Sequence, residues 1–472
     1  MELKNINFEK IKKIYAIGIK GSGMVAVVEI LKSMGIEIIG SDTAEKFFTD
    51  TVLQKLGISY FEKFSEKNIP QDADLVIYST AYREDNNVEI VEAKKRKLPM
   101  ASYPEILAKL FNGKYGVAVC GTHGKTTTSA LLAHVLQLAG KDPQAVIGSR
   151  VIQWGSNALF GKGEFFVLEA DEFQNKLRYY QPKSVILTSV DWDHPDFYPT
   201  FSEYKKAFSD FVKKIPKIGI LMAWGDSRDV IDAVSHANCD ILRYGFNKNN
   251  DFIISNFQFP ISNKILNSND QITQKFDLDF GDKNIGTFEM QLSGQHNALN
   301  AAAVIGMCHK LNLDMNLVRE AVKNFKGTSR RFEIVGERKG AILIDDYGHH
   351  PEEIRVTLKA ARERYPKKNI IVVFQPHSYS RTEALLHDFG QSFDSADQVI
   401  VLDIYGSARE SSGKVNSKDV VDLINKYDRG KAEYIPTIGE AVEFLKDKIG
   451  ADDVVFCISA GNAFEVAEKL KN

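Results

Sequence analysis

The sequence predicts an α/β protein of three domains, and three observations support this fold class. The chain has 472 residues, more than one hydrophobic core usually organises, so about two to four domains are expected. In the first and last thirds of the chain, short apolar runs alternate with stretches of helical spacing, a pattern typical of parallel sheets covered by helices. Between residues 251 and 290, apolar and polar residues alternate and turn residues intervene, which predicts antiparallel strands.

Residues 1–112 are predicted to form a Rossmann-like domain. KIYAIGI, IEIIGSD and LVIYST are expected to be strands, whereas MVAVVEILKSMG and PEILAKLF have helical spacing. After the first strand, IGIKGSGM carries Gly18, Gly21 and Gly23, and Asp42 follows about where a dinucleotide-binding domain has its ribose-binding acid. The signal is weak, because Lys20 stands where the dinucleotide fingerprint has its second glycine. A nicotinamide-dinucleotide site, a nucleotide-diphosphate site and a plain tight turn are all compatible with it.

Residues 113–326 are predicted to be a P-loop ATPase-type α/β domain with the antiparallel strands appended. VAVCGTHGKTTTSALL joins a strand, a glycine-rich turn and a helix that has Leu131, Val135 and Leu138 on one face. The common P-loop, G-x-x-x-x-G-K-[ST], is longer, because the first glycine of that pattern is missing here. Backbone N–H groups at a helix N-terminus bind phosphate, Lys125 can neutralise it, and the Thr126 hydroxyl can ligate Mg²⁺. The alternative is a glycine-rich turn with an incidental Lys-Thr pair.

Two further predicted strands of this segment end in acidic motifs, VLEADE and DWDH. Side chains at the carboxyl ends of parallel strands face the ligand crevice, and Mg²⁺ prefers oxygen ligands. Glu169 or Asp171 is therefore a candidate ligand, and His194 is a less usual one. A structural role is the alternative for His194.

Residues 327–472 are predicted to form a second Rossmann-like, doubly wound domain. GAILIDDY, NIIVVFQ, QVIVLDIY, AEYIP and DVVFCIS are apolar runs separated by helical patterns. TSRRF precedes the first run, and DDYGHHPEE, FQPHSYSRT and LDIYGSARE each follow a strand. Clustered His, Arg and Asp residues at successive strand ends predict a polar wall of an active site, with solvated loops as the alternative.

Composition excludes several classes of protein. The net charge is −2, so no strong field attracts nucleic acid or an anionic membrane. No apolar run is long enough to span a bilayer, and the opening residues lack the apolar core of a signal peptide. The four cysteines contain no C-x-x-C pair, which favours buried thiols in a reducing cytoplasm. We expect a cytoplasmic protein with no nucleic-acid or membrane partner.

The motifs GTHGKTTT, EADE, DWDH, SGQHNALNAAA, RRF, DDYGHHPEE, FQPHSYSRT and DIYGSARE, in this order, resemble the Mur ligases of peptidoglycan synthesis. The resemblance covers essentially the whole chain, and DDYGHHP with FQPHSYSRT is most similar to the branch that adds L-alanine. It implies a first domain that binds the UDP part of a sugar nucleotide, a second that binds ATP and a third that closes over the reaction. The implied reaction joins L-alanine to the carboxylate of UDP-N-acetylmuramate through an acyl phosphate, with ATP and Mg²⁺, in a monomer or homodimer.

The resemblance also implies roles for individual residues. Those implied to hold ATP are Gly121, Thr122, His123, Gly124, Lys125, Thr126, Thr127, Asn297, Asn300, Arg331 and Asp346. Thr126, Glu169 and His194 are implied metal ligands. The implied contacts of the UDP-sugar are Gly18, Gly21, Ser22, Gly23 and Asp42, and the acceptor side is formed by Tyr347, His349, His377 and Arg381. Among these, Lys125, His194, His349, His377 and Arg381 are the expected catalytic residues.

Other functions stay open at this point. A muropeptide-recycling ligase would perform the same chemistry on the tripeptide L-Ala-γ-D-Glu-diaminopimelate. The chain has GIKGSGM where this branch usually has GIGGAGM, and EADEFQ where it has EADESD, and the central change lies near the sugar-nucleotide side. A nicotinamide-dependent oxidoreductase would leave Lys125 and the acidic motifs unexplained. A P-loop NTPase switch would leave the polar wall of the third segment unexplained.

Overall fold

The computed structural model of the chain describes residues 6–259, 273–406, 410 and 412–471. In this part of the chain, three separate sheets follow one another in sequence, and helices pack against each. The three-domain α/β fold class is therefore confirmed. The limits drawn at residues 112 and 326 stay predictions, although each sheet lies within one of the three predicted segments.

The first sheet is parallel throughout and has the strand order β3-β2-β1-β4-β5. Its strands are β1 (Lys13–Ile17), β2 (Glu37–Ser41), β3 (Ser59–Phe61), β4 (Leu75–Tyr78) and β5 (Met100–Ser102). Its helices are α1 (Ser22–Ser33), α2 (Phe48–Lys55), α3 (Val88–Lys95) and α4 (Tyr103–Asn112). The three strands and two helices predicted from the sequence are all present. The predictions did not include β3, β5, α2 and α3.

The central sheet has ten strands in the order β15-β14-β13-β12-β11-β10-β6-β9-β7-β8. Its first seven strands along the chain are β6 (Tyr115–Cys120), β7 (Gln144–Val151), β8 (Ser156–Phe160), β9 (Phe165–Glu169), β10 (Ser184–Leu187), β11 (Ile220–Trp224) and β12 (Asp240–Gly245). The last three are β13 (Phe252–Gln258), β14 (Gln274–Phe280) and β15 (Lys283–Met290), and their antiparallel pairing confirms the prediction. Residues 260–272 of that predicted stretch lie outside the described residues.

Five α-helices accompany the central sheet in the described residues. They are α5 (Lys125–Leu138), α6 (Phe201–Val212), α7 (Arg228–Val234), α8 (Gln295–Lys310) and α9 (Met315–Asn324). The predicted helix α5 is present; Leu131 and Val135 are fully buried in it, whereas Leu138, its last residue, is 45% exposed.

The third sheet has the order β16-β17-β21-β18-β19-β20. Its strands are β16 (Glu333–Arg338), β17 (Ala341–Asp346), β18 (Asn369–Phe374), β19 (Gln398–Val401), β20 (Ala432–Tyr434) and β21 (Asp453–Ile458). The helices are α10 (Pro351–Arg364), α11 (Tyr379–Ala384), α12 (Leu386–Gly390), α13 (Ser417–Tyr427), α14 (Ile438–Leu445) and α15 (Phe464–Lys471). The five predicted strands are present and parallel, and β16 adds an antiparallel edge that was not predicted. Residues 407–409 of the LDIYGSARE motif are not among the described residues.

The apolar runs form the cores of these domains. Strands β6, β17, β18 and β21 are almost fully buried along their length, which explains why they read as continuous apolar runs. All four cysteines are buried free thiols, as predicted. Among the helices of the described residues, none combines the length and apolar character that crossing a membrane requires.

Candidate active site

A cavity of about 1200 Å³ lies where the three domains meet, at the carboxyl ends of their parallel strands. The predicted site residues that line it are Ser22, Gly23, Thr122, Gly124, Lys125, Thr126, Glu169, Asp171, His194, Arg331, Tyr347, His349, His377 and Arg381. The structure therefore brings the glycine turn, the phosphate loop, the acidic motifs and the polar wall to one cleft. The remaining predicted residues lie outside its lining, and their contacts are given below.

The phosphate loop is the turn between β6 and α5. Gly121 has φ +131° and Gly124 has φ +76°, backbone angles that favour glycine. A Cβ atom on Gly121 would lie 2.3 Å from the Thr188 hydroxyl oxygen, and one on Gly124 would lie 2.5 Å from the Asn300 amide oxygen. Only glycine fits at either position, so the short loop is a tightly packed turn that delivers the chain directly into α5.

Lys125 is the first residue of α5, and its side chain folds back so that the ammonium group contacts the phosphate loop. Its Nζ donates to the carbonyls of Gly121 at 2.5 Å and Thr122 at 3.1 Å, and lies 3.1 Å from Oε2 of Glu172, which is fully buried. Burial alone would lower the pKa of Lys125, but the charges of Glu172, Asp171 and Glu169 outweigh it and raise the pKa. The lysine therefore stays charged beside a helix N-terminus, where an anion is favoured.

The predicted metal ligands lie in two neighbouring groups. Thr126 donates its hydroxyl to Oε1 of Glu169 at 2.8 Å, and the Gly148 amide donates to the other carboxylate oxygen at 2.5 Å. His194 is gathered instead with Asp171 and Glu172, so that one potential ligand atom from each lies within 4.8 Å of the others. This donor set, oxygen-rich with one imidazole, suits a hard divalent cation such as Mg²⁺.

The two asparagines implied to hold ATP, Asn297 and Asn300, lie in the first turns of helix α8, next to the phosphate loop. Asn297 donates to the Ser293 carbonyl at 2.7 Å, and Asn300 donates to the amide oxygen of Asn297 at 3.3 Å. The contact between Asn300 and Gly124 places this helix end directly against the phosphate loop. Thr127 is buried within α5.

Arg331 and Asp346 lie beside the connection from the central to the third domain. Arg331 lines the cleft and lies 3.7 Å from the Glu353 carboxylate. Asp346 accepts backbone N–H groups of Phe332 and Gly348, both at 2.8 Å, and is almost fully buried. In this arrangement Asp346 shapes the turn after β17.

The glycine turn of the first domain faces the same cleft through Ser22 and Gly23. A Cβ atom on Gly18, where φ is +76°, would lie 2.6 Å from the Tyr82 ring, and Gly21 precedes the first residue of α1. Asp42 is 5% exposed and accepts the backbone N–H groups of Lys20 at 2.7 Å and Thr43 at 2.8 Å. Its carboxylate organises the turn.

The predicted acceptor side, called the acceptor wall below, comprises Tyr347, His349, His377 and Arg381 and is built by the segments after β17 and β18. Arg381 donates from Nε to Asp193 at 2.8 Å and from Nη1 to the His377 carbonyl at 2.9 Å. Burial and the Arg381 charge lower the pKa of His349 to about 3 and that of His377 to about 4. Both imidazoles are therefore neutral at physiological pH. The Tyr347 ring lies against the guanidinium of Arg331, at 5.3 Å.

Several buried carboxylates of the site were not singled out from the sequence. Glu172 holds Lys125, Asp193 holds Arg381, and Glu353 lies near His123 and Arg331. Each stands inside a quoted motif, EADE, DWDH or DDYGHHPEE. Nothing in the spacing distinguishes a carboxylate that faces ligand from one that faces a cationic side chain, so the motifs alone could not separate these roles.

Comparison with known families gives matches along most of the chain. Residues 13–115 match the family profile described as Mur ligase family, catalytic domain. Residues 119–308 match the Mur ligase middle domain, and residues 330–461 match the profile described as Mur ligase, glutamate ligase domain. The three matches follow the three sheets in order.

Curated relatives and solved structures agree with these matches. The chain is 38% identical to a UDP-N-acetylmuramate–L-alanine ligase of Desulfitobacterium hafniense, over 97% of this chain and 99% of the relative. It is also 38% identical to the enzyme of the same name from Caldanaerobacter subterraneus, over 98% of each chain. Among solved structures, the UDP-N-acetylmuramate–alanine ligase of Thermotoga maritima has a TM-score of 0.79 and 28% identity, over 97% of this chain and 98% of the other.

Proposed function

The chain belongs to the Mur ligase family, and we propose that it joins L-alanine to the carboxylate of UDP-N-acetylmuramate at the expense of ATP. One observation carries this proposal: the phosphate loop with Lys125 and the acceptor wall with His349 and Arg381 line the same cavity. A ligase needs both halves, because one activates a carboxylate and the other delivers an amine. The names of the relatives supply the two substrates.

The chemistry explains why a phosphate loop is required. A carboxylate is a poor acyl donor, so its oxygen first attacks the γ-phosphorus of ATP, and the bond from that phosphorus to the bridging oxygen of ADP breaks. The amine then attacks the acyl carbon, the bond from that carbon to the phosphate oxygen breaks, and inorganic phosphate leaves. Lys125 and the N-terminus of α5 offset the negative charge that gathers in the first step, and the cleft aligns the reactants.

We assign a magnesium ion to the acidic corner of the cleft. Thr126, Glu169 and His194 remain the proposed ligands. Asp171, the other candidate from the sequence, and Glu172 lie beside His194 and are proposed as further residues that could hold the ion. When bound, Mg²⁺ supplies positive charge to the phosphate oxygens. Glu172 is fully buried and already lies 3.1 Å from the Lys125 ammonium, so a bound cation would share this carboxylate with the lysine.

The amine must lose a proton when it attacks, and the neutral imidazoles of His349 and His377 are the proposed acceptors. Their low pKa values make them weak bases in the protein alone, and negative charge on bound substrates would raise these values. Arg381 is proposed to bind the alanine carboxylate. Its contact with Asp193 fixes the guanidinium in one orientation, which suits recognition of a carboxylate.

In the first domain, Gly18, Gly21, Ser22, Gly23 and Asp42 remain the proposed surroundings of the UDP diphosphate, with Ser22 and Gly23 facing the cleft. The reaction is proposed to take place in the cytoplasm, where ATP is available. We also propose domain limits at residues 112 and 326, because each of the three sheets lies within one of the segments that these limits define.

The competing functions have less support. The murein peptide ligase of Psychrobacter arcticus has a TM-score of 0.70 at 22% identity, which supports a shared fold and says nothing about the acceptor. Membership of the Mur ligase family leaves a nicotinamide-dependent oxidoreductase and an NTPase switch without a supporting observation.

Phosphate release over a panel of substrates tests the proposal. With ATP and Mg²⁺, release should require UDP-N-acetylmuramate and L-alanine together, and glycine or serine should replace L-alanine weakly. Release in the absence of an amine, or with an amine but no UDP-sugar acid, would contradict a ligase of this type.

A further inference from the structure

The carboxylate of Glu353 lies at the junction of the central and third domains. Glu353 is the third residue of α10, and its Oε2 accepts the backbone N–H groups of His349 at 3.0 Å and His350 at 3.4 Å. The side chain is only 10% exposed. One carboxylate oxygen is therefore fixed by the loop that carries a proposed proton acceptor.

The other oxygen faces the opposite side of the junction. Oε1 of Glu353 lies 3.4 Å from Nδ1 of His123 and 3.7 Å from Nη1 of Arg331. His123 belongs to the phosphate loop, and its second ring nitrogen lies 3.3 Å from the Asp191 carboxylate. Its ring also lies against His350, with the centroids 4.8 Å apart. A single carboxylate thus contacts the phosphate loop, the connection between the domains and the loop after β17 that carries His349 and His350, which we call the acceptor loop.

The charges make this contact an ion pair. Burial would lower the pKa of His123, but the neighbouring carboxylates of Asp191 and Glu353 outweigh it and raise the pKa to about 9. Burial would raise the pKa of Glu353, but its interactions with His349, His123 and Arg331 hold it well below its usual range. At neutral pH a cationic His123 therefore faces an anionic Glu353 across the domain junction.

We propose that Glu353 is a positioning residue that ties the phosphate loop to the acceptor loop through His123 and Arg331. The inference rests on the proposed ligase function. Transfer of an activated acyl group to an amine demands close alignment, and a displacement of about 1 Å costs roughly 100-fold in rate. Glu353 is placed to set that spacing, because its two oxygens contact the two loops that carry the two halves of the site.

If Glu353 had only a structural role, that role would be to cap helix α10. Substitution by glutamine distinguishes capping from the proposed positioning role. Glu353→Gln keeps a side-chain oxygen that can accept the N–H groups of His349 and His350, but it removes the charge that faces His123. Glu352→Gln is the matched control, because Glu352 precedes Glu353 on the same turn, has a side chain that is 43% exposed and pairs with Arg355. It removes the same charge without touching the domain junction.

The experiment compares Glu353→Gln, Glu352→Gln, His123→Asn and the double variant His123→Asn/Glu353→Gln. We expect kcat to fall by about 10- to 100-fold in Glu353→Gln and by less than twofold in the control. The double variant should be no slower than the slower single variant, because both substitutions remove one shared contact. Multiplicative losses in the double variant would overturn the proposal.

Hydrogen exchange provides a readout that does not depend on turnover. In Glu353→Gln, amides of the phosphate loop, residues 121–125, should exchange faster although the substitution lies in the third domain. Faster exchange confined to α10 would show that Glu353 only caps its helix and would overturn the proposal. If the wild-type protein failed to ligate L-alanine, the proposed function would fall, whereas exchange would still report whether the two loops are tied.

Discussion

Arg381 and Asp193 form an ion pair between the third and central domains, with Nε and Oδ1 2.8 Å apart and each side chain only 7% exposed. Burial alone would raise the pKa of Asp193, but the Arg381 charge holds it well below its usual range. The residue proposed to bind the alanine carboxylate is therefore oriented by the motif that also carries His194. Under the proposed function, the guanidinium that contacts the central domain would also bind the acceptor.

Arg381→Lys should weaken acceptor binding selectively. Lysine keeps the positive charge but loses the planar fork that can engage Asp193 and a substrate carboxylate together. We expect KM for L-alanine to rise about 10-fold or more, with KM for ATP changed less than threefold. Steady-state kinetics with each substrate varied in turn provides the measurement, and a rise confined to the KM for ATP would contradict the assignment.

Lys125→Ala should abolish ADP formation in a folded protein. Without this ammonium the charge that develops on the phosphates is not offset, and such electrostatic losses are on the order of 100-fold or more in kcat. Lys141→Ala is a suitable control, because Lys141 lies exposed just beyond the other end of α5. Near-normal turnover in Lys125→Ala, with circular dichroism unchanged, would remove the basis for an ATP site at this loop.

His194→Ala should raise the metal requirement. His194 is gathered with Asp171 and Glu172, and loss of one ligand from such a set weakens the binding of a divalent cation. We expect the Mg²⁺ concentration for half-maximal activity to rise about 10-fold or more, and Mn²⁺ binding measured by electron paramagnetic resonance to weaken in parallel. His387→Ala, at an exposed histidine of the third domain, serves as the control. Full activity of the wild-type protein in excess chelator would refute the metal assignment.

The free energy of unfolding should depend on pH because the Glu29 carboxyl titrates differently in the folded and unfolded states. This carboxyl lies in α1 and accepts a hydrogen bond from Ser156 of the central domain at 2.8 Å. Burial raises its pKa from 4.5 to about 7, against a smaller lowering by the Ser156 hydrogen bond. The folded state therefore holds a proton that the unfolded chain releases between about pH 4.5 and 7, so stability falls as the pH rises through this range.

Glu29→Gln removes this dependence, because glutamine does not titrate. At pH 5 the variant and the wild-type protein should unfold at nearly the same temperature. At pH 8 the variant should unfold at a higher temperature than the wild-type protein, because its free energy of unfolding is then larger by about 3 kcal/mol. Thermal unfolding of both proteins from pH 5 to pH 8 measures it. Parallel curves for the two proteins would show that Glu29 does not titrate in this window.

The elements that could be predicted from the sequence are those whose burial dictates their composition. Strand β6 and helix α5 are nearly covered on all sides, so their apolar residues and the glycines between them identify both elements and the loop. By contrast, β3 has no fully buried residue, and β16 is partly exposed along its whole length. Edge strands of this kind need few apolar residues, so their sequences carry little pattern to detect.

The motifs predicted that Lys125, the acidic strand ends and Arg381 belong to one site, and the structure brings them to one cleft. The roles of these residues stay predictions, and the contacts among them could not be predicted from the motifs. The pairing of Arg381 with Asp193, and of His123 with Glu353, joins residues of different domains. Such contacts depend on how the domains are placed against each other, which no local spacing encodes.

Product analysis under competition tests the central claim most directly. The protein should be incubated with ATP, Mg²⁺, UDP-N-acetylmuramate and equal concentrations of L-alanine and L-Ala-γ-D-Glu-diaminopimelate, and the products identified by mass spectrometry. We predict that UDP-N-acetylmuramoyl-L-alanine is the main product and that ADP forms in equal amount. A product that carries only the tripeptide would contradict the assigned acceptor while leaving the ATP chemistry in place, and ADP formation without either conjugate would contradict the ligase itself.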